Sequence, residues 1–99
     1  MISIRIQKSY RVVVAIADSD LLGKKFIEGK KQLDIRENFY KDKEYDFEAA
    51  IRVIQKQAKE DATFNIVGPE SIKAALEVGI ISEKGIGKIQ NIPFALVLI

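Results

Sequence analysis

The residues best equipped for chemistry lie in one short stretch. Gly23-Lys24-Lys25-Phe26-Ile27-Glu28-Gly29-Lys30-Lys31 holds four lysines and a single acid. Arg36, Lys41 and Lys43 extend the basic run, and Phe39, Tyr40 and Tyr45 bring aromatic rings near it in sequence. Cationic side chains match phosphates, and exposed rings stack on unpaired bases. The pattern nominates Lys24, Lys25, Lys30, Lys31, Arg36 and Tyr40 as nucleic-acid-binding residues. A plainer account makes the lysines ordinary solvated surface and places Phe26 and Phe39 in the core. The net charge is only +2, from 16 Lys and Arg against 14 Asp and Glu, and it favours that plainer account. The segment is still the best functional patch in the chain.

Other chemistries fail for want of parts. With no Cys there are no disulfides, thiolate nucleophiles or thiolate zinc sites. With no His, the commonest general base and transition-metal ligand are missing as well. Asp18-Ser19-Asp20 could offer two carboxylates to a divalent cation, but capping of the short helical turn that follows explains the same residues without a ligand. Gly68 ahead of a helix has the form of a phosphate-binding turn. Pro69 removes one of the amides such a site needs, and Glu70 sets a negative charge where the anion would sit. Gly85-Ile86-Gly87-Lys88 lacks both a third glycine and a following Ser or Thr, so it reads as a turn. Glu48, Arg52 and Lys56, with Gln55 and Lys59, form a solvated helix face. No spacing singles out a catalytic pair among Ser, Lys, Tyr and the carboxylates. No catalytic residue, cofactor or metal site is expected.

Elements must position these groups, and 99 residues suffice for one domain spanning 1–99. A content of 47% hydrophobic and 30% charged residues describes a globular chain. It contains no apolar run of about 20 residues and no charged-then-apolar leader, so neither a membrane partner nor secretion is expected. Ile and Lys are the commonest residues, a bias of A+T-rich genomes or heat-adapted proteomes, and an archaeal or thermophilic source is expected from it.

Ile2, Ile4 and Ile6 alternate with polar residues, as in a half-buried strand. After a turn at Lys8-Ser9-Tyr10, the β-branched run Val12 to Ala17 predicts a central strand paired antiparallel to the first. A helical turn follows through Leu21 and Leu22, closed by Gly23. Residues 30–36 form the next expected strand, with Lys30 and Lys31 on opposite faces, and Lys41 to Glu44 a polar loop. The strongest helix spans 46–60: Phe47, Ile51, Ile54 and Ala58 make one stripe, and Asp46 caps it. Thr63 to Val67 is a buried strand, and Pro69 opens a second helix that ends at Gly79. A turn at Ser82 to Gly87 leads to an interior strand from Ile92 to Ile99. The sum is an α+β fold with four or five mostly antiparallel strands and two packed helices.

The order of certain pieces resembles a known family. Asp20-Leu21-Leu22-Gly23-Lys24 precedes Phe26 and Glu28-Gly29; Leu33 and Ile35 lead to Phe39-Tyr40; Asn65-Ile66-Val67-Gly68 and Ile92-Pro93 come later. Together they resemble the archaeal domain-of-unknown-function 424 family over essentially the whole chain. The resemblance implies a compact α+β protein of the archaeal cytosol with no assigned enzymatic activity, associated with the translation machinery. The chain departs from the family pattern in its very short first turn and in Lys41-Asp42-Lys43, where a glycine is often expected. The resulting expectation is a cytoplasmic, non-enzymatic protein partnered with RNA, on the ribosome or an initiation complex. The alternatives are a protein-interaction module without nucleic-acid contact and, third, a small enzyme using carboxylates or Lys. Oligomeric state is not legible in the residues.

Overall fold

The computed structural model describes residues 1–98. The first two strands, β1 (Ile2–Lys8) and β2 (Val12–Asp18), pair antiparallel along their full length, from Ile2 opposite Asp18 to Lys8 opposite Val12. Alternation sends Ile2, Ile4, Ile6, Val14 and Ile16 to one side of the sheet and Ser3, Arg5, Gln7, Ala15 and Ala17 to the other. Residues 14–18 of β2 are all buried, which both-face burial of a central strand requires.

A 3-10 turn (Ser19–Leu21) leads into a hairpin. β4 (Lys31–Asp34) lies inside the expected strand 30–36, and it pairs with an additional strand, β3 (Lys25–Glu28), as a separate two-stranded sheet. Lys30 therefore sits in the turn between them and not on a strand. That turn is tight because Gly29 adopts φ +61°, which glycine reaches without steric cost. A one-turn helix α1 (Glu37–Tyr40) follows, and β5 (Lys43–Tyr45) takes the second half of the expected polar loop, pairing with the start of β1. The loop signal was real in composition, but an edge strand of three residues is polar too.

Helix α2 (Phe47–Ala58) falls inside the expected 46–60 span, and Asp46 caps it by accepting from the Ala49 amide at 2.8 Å. Ile54 is fully buried, Phe47, Ile51 and Ala58 are half-buried, and Arg52 and Lys56 are exposed. β6 (Thr63–Val67) pairs parallel with β2, and α3 (Pro69–Val78) ends at Gly79 in the left-handed conformation. Lys73 of α3 sets its Nζ 5.4 Å from the Phe47 ring centroid, a cation–π contact between the helices. After a second 3-10 turn (Glu83–Gly85), β7 (Gly87–Ile89) and β8 (Ile92–Val97) form a hairpin. Its two turn residues, Gln90 and Asn91, both have positive φ (51° and 65°), the signs of a type I′ turn. The expected turn at 82–87 overlaps β7, and Ile99, the last residue of the expected terminal strand, lies outside the described residues.

The main sheet runs β5-β1-β2-β6-β8-β7, with every pairing antiparallel except β2–β6. The α+β class and the antiparallel bias hold. Among the described residues the strands number eight and the α-helices three, more than the expected four or five and two. Helices α2 and α3 cover one side of the sheet over Ile2, Ile4, Val14, Ile16, Phe64 and Ile66. The hairpin and α1 cover part of the other side over Ala15, Ala17, Leu21, Ile35 and Val67.

Candidate nucleic-acid interface

Cross-strand pairing fixes which way the basic residues look. Phe26 stands opposite Leu33, and both pack onto the second core, anchoring the hairpin. Lys25 stands opposite Asp34 on the outer face, together with Ile27 and Gln32, while Lys31 stands opposite Glu28 on the inner one. Lys24 precedes β3, and Lys30 occupies the tip. All four lysines are exposed, as expected, but they fan around the hairpin instead of forming one stripe.

Both acids of the hairpin are engaged elsewhere. Glu28 Oε1 accepts from the Gln90 backbone amide at 2.8 Å, and Gln90 Nε2 donates to the Ile27 carbonyl at 2.6 Å. These bonds tie the hairpin to the type I′ turn of β7–β8. Asp34, opposite Lys25, accepts at Oδ2 from Arg36 Nε at 3.0 Å. Among the described residues neither ion pair, Arg36–Asp34 or Lys41–Glu37, involves Lys24, Lys25, Lys30 or Lys31.

Tyr40 requires correction. The sequence offered it as a stacking face, but it is only 9% exposed, with its ring edge-on to Phe39 at a centroid distance of 4.9 Å. Burial pushes its phenol pKa up, which keeps it neutral. Its backbone is held too: Ser3, wholly buried, donates Oγ–H to the Tyr40 carbonyl and accepts from the Asp42 amide, both at 3.0 Å. One hydroxyl thus fixes the end of α1, and Tyr40 is structural. Arg36 remains exposed, at the start of α1.

The two alternative sites are closed by one residue. Asp18, 4% exposed, does not cap its own turn; its Oδ1 accepts from the Ser71 amide (2.8 Å) and hydroxyl (2.7 Å), and its Oδ2 from the Glu70 amide (3.1 Å). The N-terminus of α3 is therefore occupied by an internal carboxylate where a phosphate would go. Both oxygens are also committed, so Asp18 and Asp20 do not act as a cation pair. Gly68 is demanded by this contact: a Cβ there would lie 2.4 Å from Asp18 Cγ, at a φ of +109°. A partner 52 positions away in sequence explains why local reasoning assigned the cap to the wrong helix.

Three residues escaped the sequence reading. Tyr10, between Lys8 and Arg11 at the tip of β1–β2, is 96% exposed. A large residue inside a tight turn has nowhere to be buried, and that signal was legible. Gln7 and Asn38 line an open crevice of about 450 Å³ with Asp34, Arg36, Phe39 and Tyr40. Their meeting needs α1 to fold over β1, and one-turn helices leave no periodicity to read.

A mixed-sheet α+β protein with a lysine-bearing hairpin docked beside its open face is the class that this geometry defines. The chain belongs to the family described as protein of unknown function, DUF424, whose sequence model matches residues 6–99. It is also similar to a solved structure, the crystal structure of an uncharacterized conserved protein from the archaeon Methanopyrus kandleri. The two are 25% identical with a TM-score of 0.86, over 98% of this chain and 91% of that one. A search of curated proteins found no match. The resemblance read from the sequence names the right family, and the archaeal relative agrees with it. No helix among the described residues is long and apolar enough to cross a membrane.

Proposed function

We propose that this protein binds single-stranded RNA through the β3–β4 hairpin and acts, without catalysis, in the translation apparatus of the archaeal cytoplasm. One observation carries the binding reading. Four exposed lysines share a short hairpin whose two carboxylates are directed to Gln90 and Arg36, so the cations face solvent without ion-pair partners among the described residues. Such cations exchange condensed counterions when they meet phosphates. The translation setting follows from the family resemblance alone.

A protein partner is the second reading, favoured by Ile27, Leu96 and Leu98, which are 54%, 55% and 73% exposed. Salt dependence separates the two. Log affinity for single-stranded RNA should fall with log salt by about 0.7 per phosphate neutralised. Because Lys25 and Lys31 look to opposite faces, changing all four lysines to Gln should flatten that slope by about one to two units. Lys56→Gln with Lys59→Gln, on α2, is the control. Equal losses from both sets would mean diffuse attraction, and no RNA binding by the native protein would leave the protein-partner reading.

A further inference from the structure

The second layer covers only part of its side of the sheet. Across the row Arg5, Ala15, Asn65 and Leu96, set by consecutive cross-strand pairs, only Ala15 is buried. The crevice of about 450 Å³ opens at the margin of this bare region, where α1 and β4 overhang Gln7. Its volume lies in the range that ligand sites occupy, about 300–1,000 Å³. The groups that converge there belong to a recognisable chemistry.

Asn38 is exposed, and its amide makes no hydrogen bond among the described residues, so both its N–H donors and its carbonyl acceptor are available. Gln7 lines the crevice with its carbonyl oxygen accepting from the Arg5 guanidinium, so what its amide can offer a ligand is N–H donors. Arg36 is anchored through Nε to Asp34, which holds the guanidinium in place while its terminal nitrogens stay available to an anion. Phe39, half-buried, supplies the aromatic wall. Two amides, a positioned guanidinium and aromatic carbon match the edge, phosphate and ring of a nucleotide. They match a metal poorly, because the one carboxylate in the lining is already bound by Arg36.

We infer that the crevice between Gln7 and Asn38 seats one unpaired nucleotide of the RNA strand, its base edge on the two amides and its phosphate at Arg36. The inference rests on the RNA-binding reading and adds a base-reading site separate from the lysine hairpin. The hairpin attracts any phosphate backbone; the crevice requires a base.

The test uses the full-length protein and two strands of equal length, hexa-adenylate and an abasic ribose-phosphate hexamer, each followed by fluorescence anisotropy at fixed salt. Native protein should bind hexa-adenylate at least fivefold more tightly than the abasic strand. Asn38→Ala and Gln7→Ala should each erase most of that preference while leaving abasic binding unchanged, with melting curves reporting that the fold persists. The four-lysine variant should weaken both strands in parallel. Equal affinity of native protein for the two strands would overturn the inference while leaving the hairpin reading intact, as would a preference that survives both amide variants. If neither strand binds, adenosine monophosphate decides the matter through the side-chain NH2 resonances of Gln7 and Asn38. Saturable shifts at both would uphold the crevice as a free-nucleotide site without the hairpin. Unmoved resonances would end the proposal.

Discussion

The two sides of the main sheet are built on different terms. On the helix side Ile2, Ile4, Val14, Ile16, Phe64 and Ile66 are each no more than 2% exposed, under two helices of ten residues or more. On the other side the same strands present mostly small or polar residues, Ser3, Arg5, Gln7, Ala15, Ala17, Thr63 and Asn65, with Val67 among them, under a one-turn helix and a hairpin of two four-residue strands. Large β-branched residues need a thick apolar layer above them, and α2 and α3 provide it. Alanines and polar groups let thin elements approach closely and cover the sheet only where Leu21, Phe26, Leu33 and Ile35 gather. The first side holds the fold. The second is free to carry function because less of the stability depends on it.

This division is open to direct attack, and the largest effect should come from the helix side. Ile54→Ala removes a side chain with no exposed surface and should cost about 2–4 kcal/mol in urea unfolding, through lost burial and the cavity left behind. Leu33→Ala, at a half-buried site under the hairpin, should cost about 1 kcal/mol, because part of that side chain already meets water. Equal losses would refute the claim that the two layers differ in weight.

Asp18→Asn should rank between these. The isosteric amide keeps one acceptor but turns N–H donors toward amides that need an acceptor, at the head of α3. Losing hydrogen bonds to a charged group costs about 1.5–3 kcal/mol. The expected reading is a lower denaturation midpoint with an unchanged slope. A neutral result would mean that α3 does not depend on its cap.

What the sequence disclosed follows the same division. β1, β2, α2, β6 and α3 carry long apolar runs or clear periodicity, because elements that build a thick core must repeat a hydrophobic spacing. β3, α1, β5 and β7 are three or four residues long, too short for any period to emerge. Their positions are set by contacts distant in sequence, such as Ser3 with Tyr40 and Glu28 with Gln90. The basic residues were visible one by one. Their fan-like arrangement was not, because it depends on Gly29 placing the turn so that Lys30 leaves the strand. Tyr40 misled for a related reason: an aromatic beside lysines looks like a stacking surface until a buried serine is found holding its backbone.

The smallest expected effect sharpens the comparison on the functional side. Glu28 does two things at once: it ties the hairpin to Gln90, and it places one negative charge among four lysines. Glu28→Gln removes the charge while keeping a carbonyl acceptor for the Gln90 amide, so stability should change by less than about 0.5 kcal/mol, as at most exposed sites. RNA affinity at low salt should rise about twofold, the weight of one exposed charge several ångströms from a phosphate in a high-dielectric setting. Glu28→Ala removes the acceptor as well, and amide hydrogen exchange in β3 and β4 should quicken as the hairpin loosens. If charge governs binding, both variants gain affinity alike. If the docked geometry governs it, Glu28→Gln gains and Glu28→Ala loses, and the link between Gln90 and the hairpin becomes part of the binding surface.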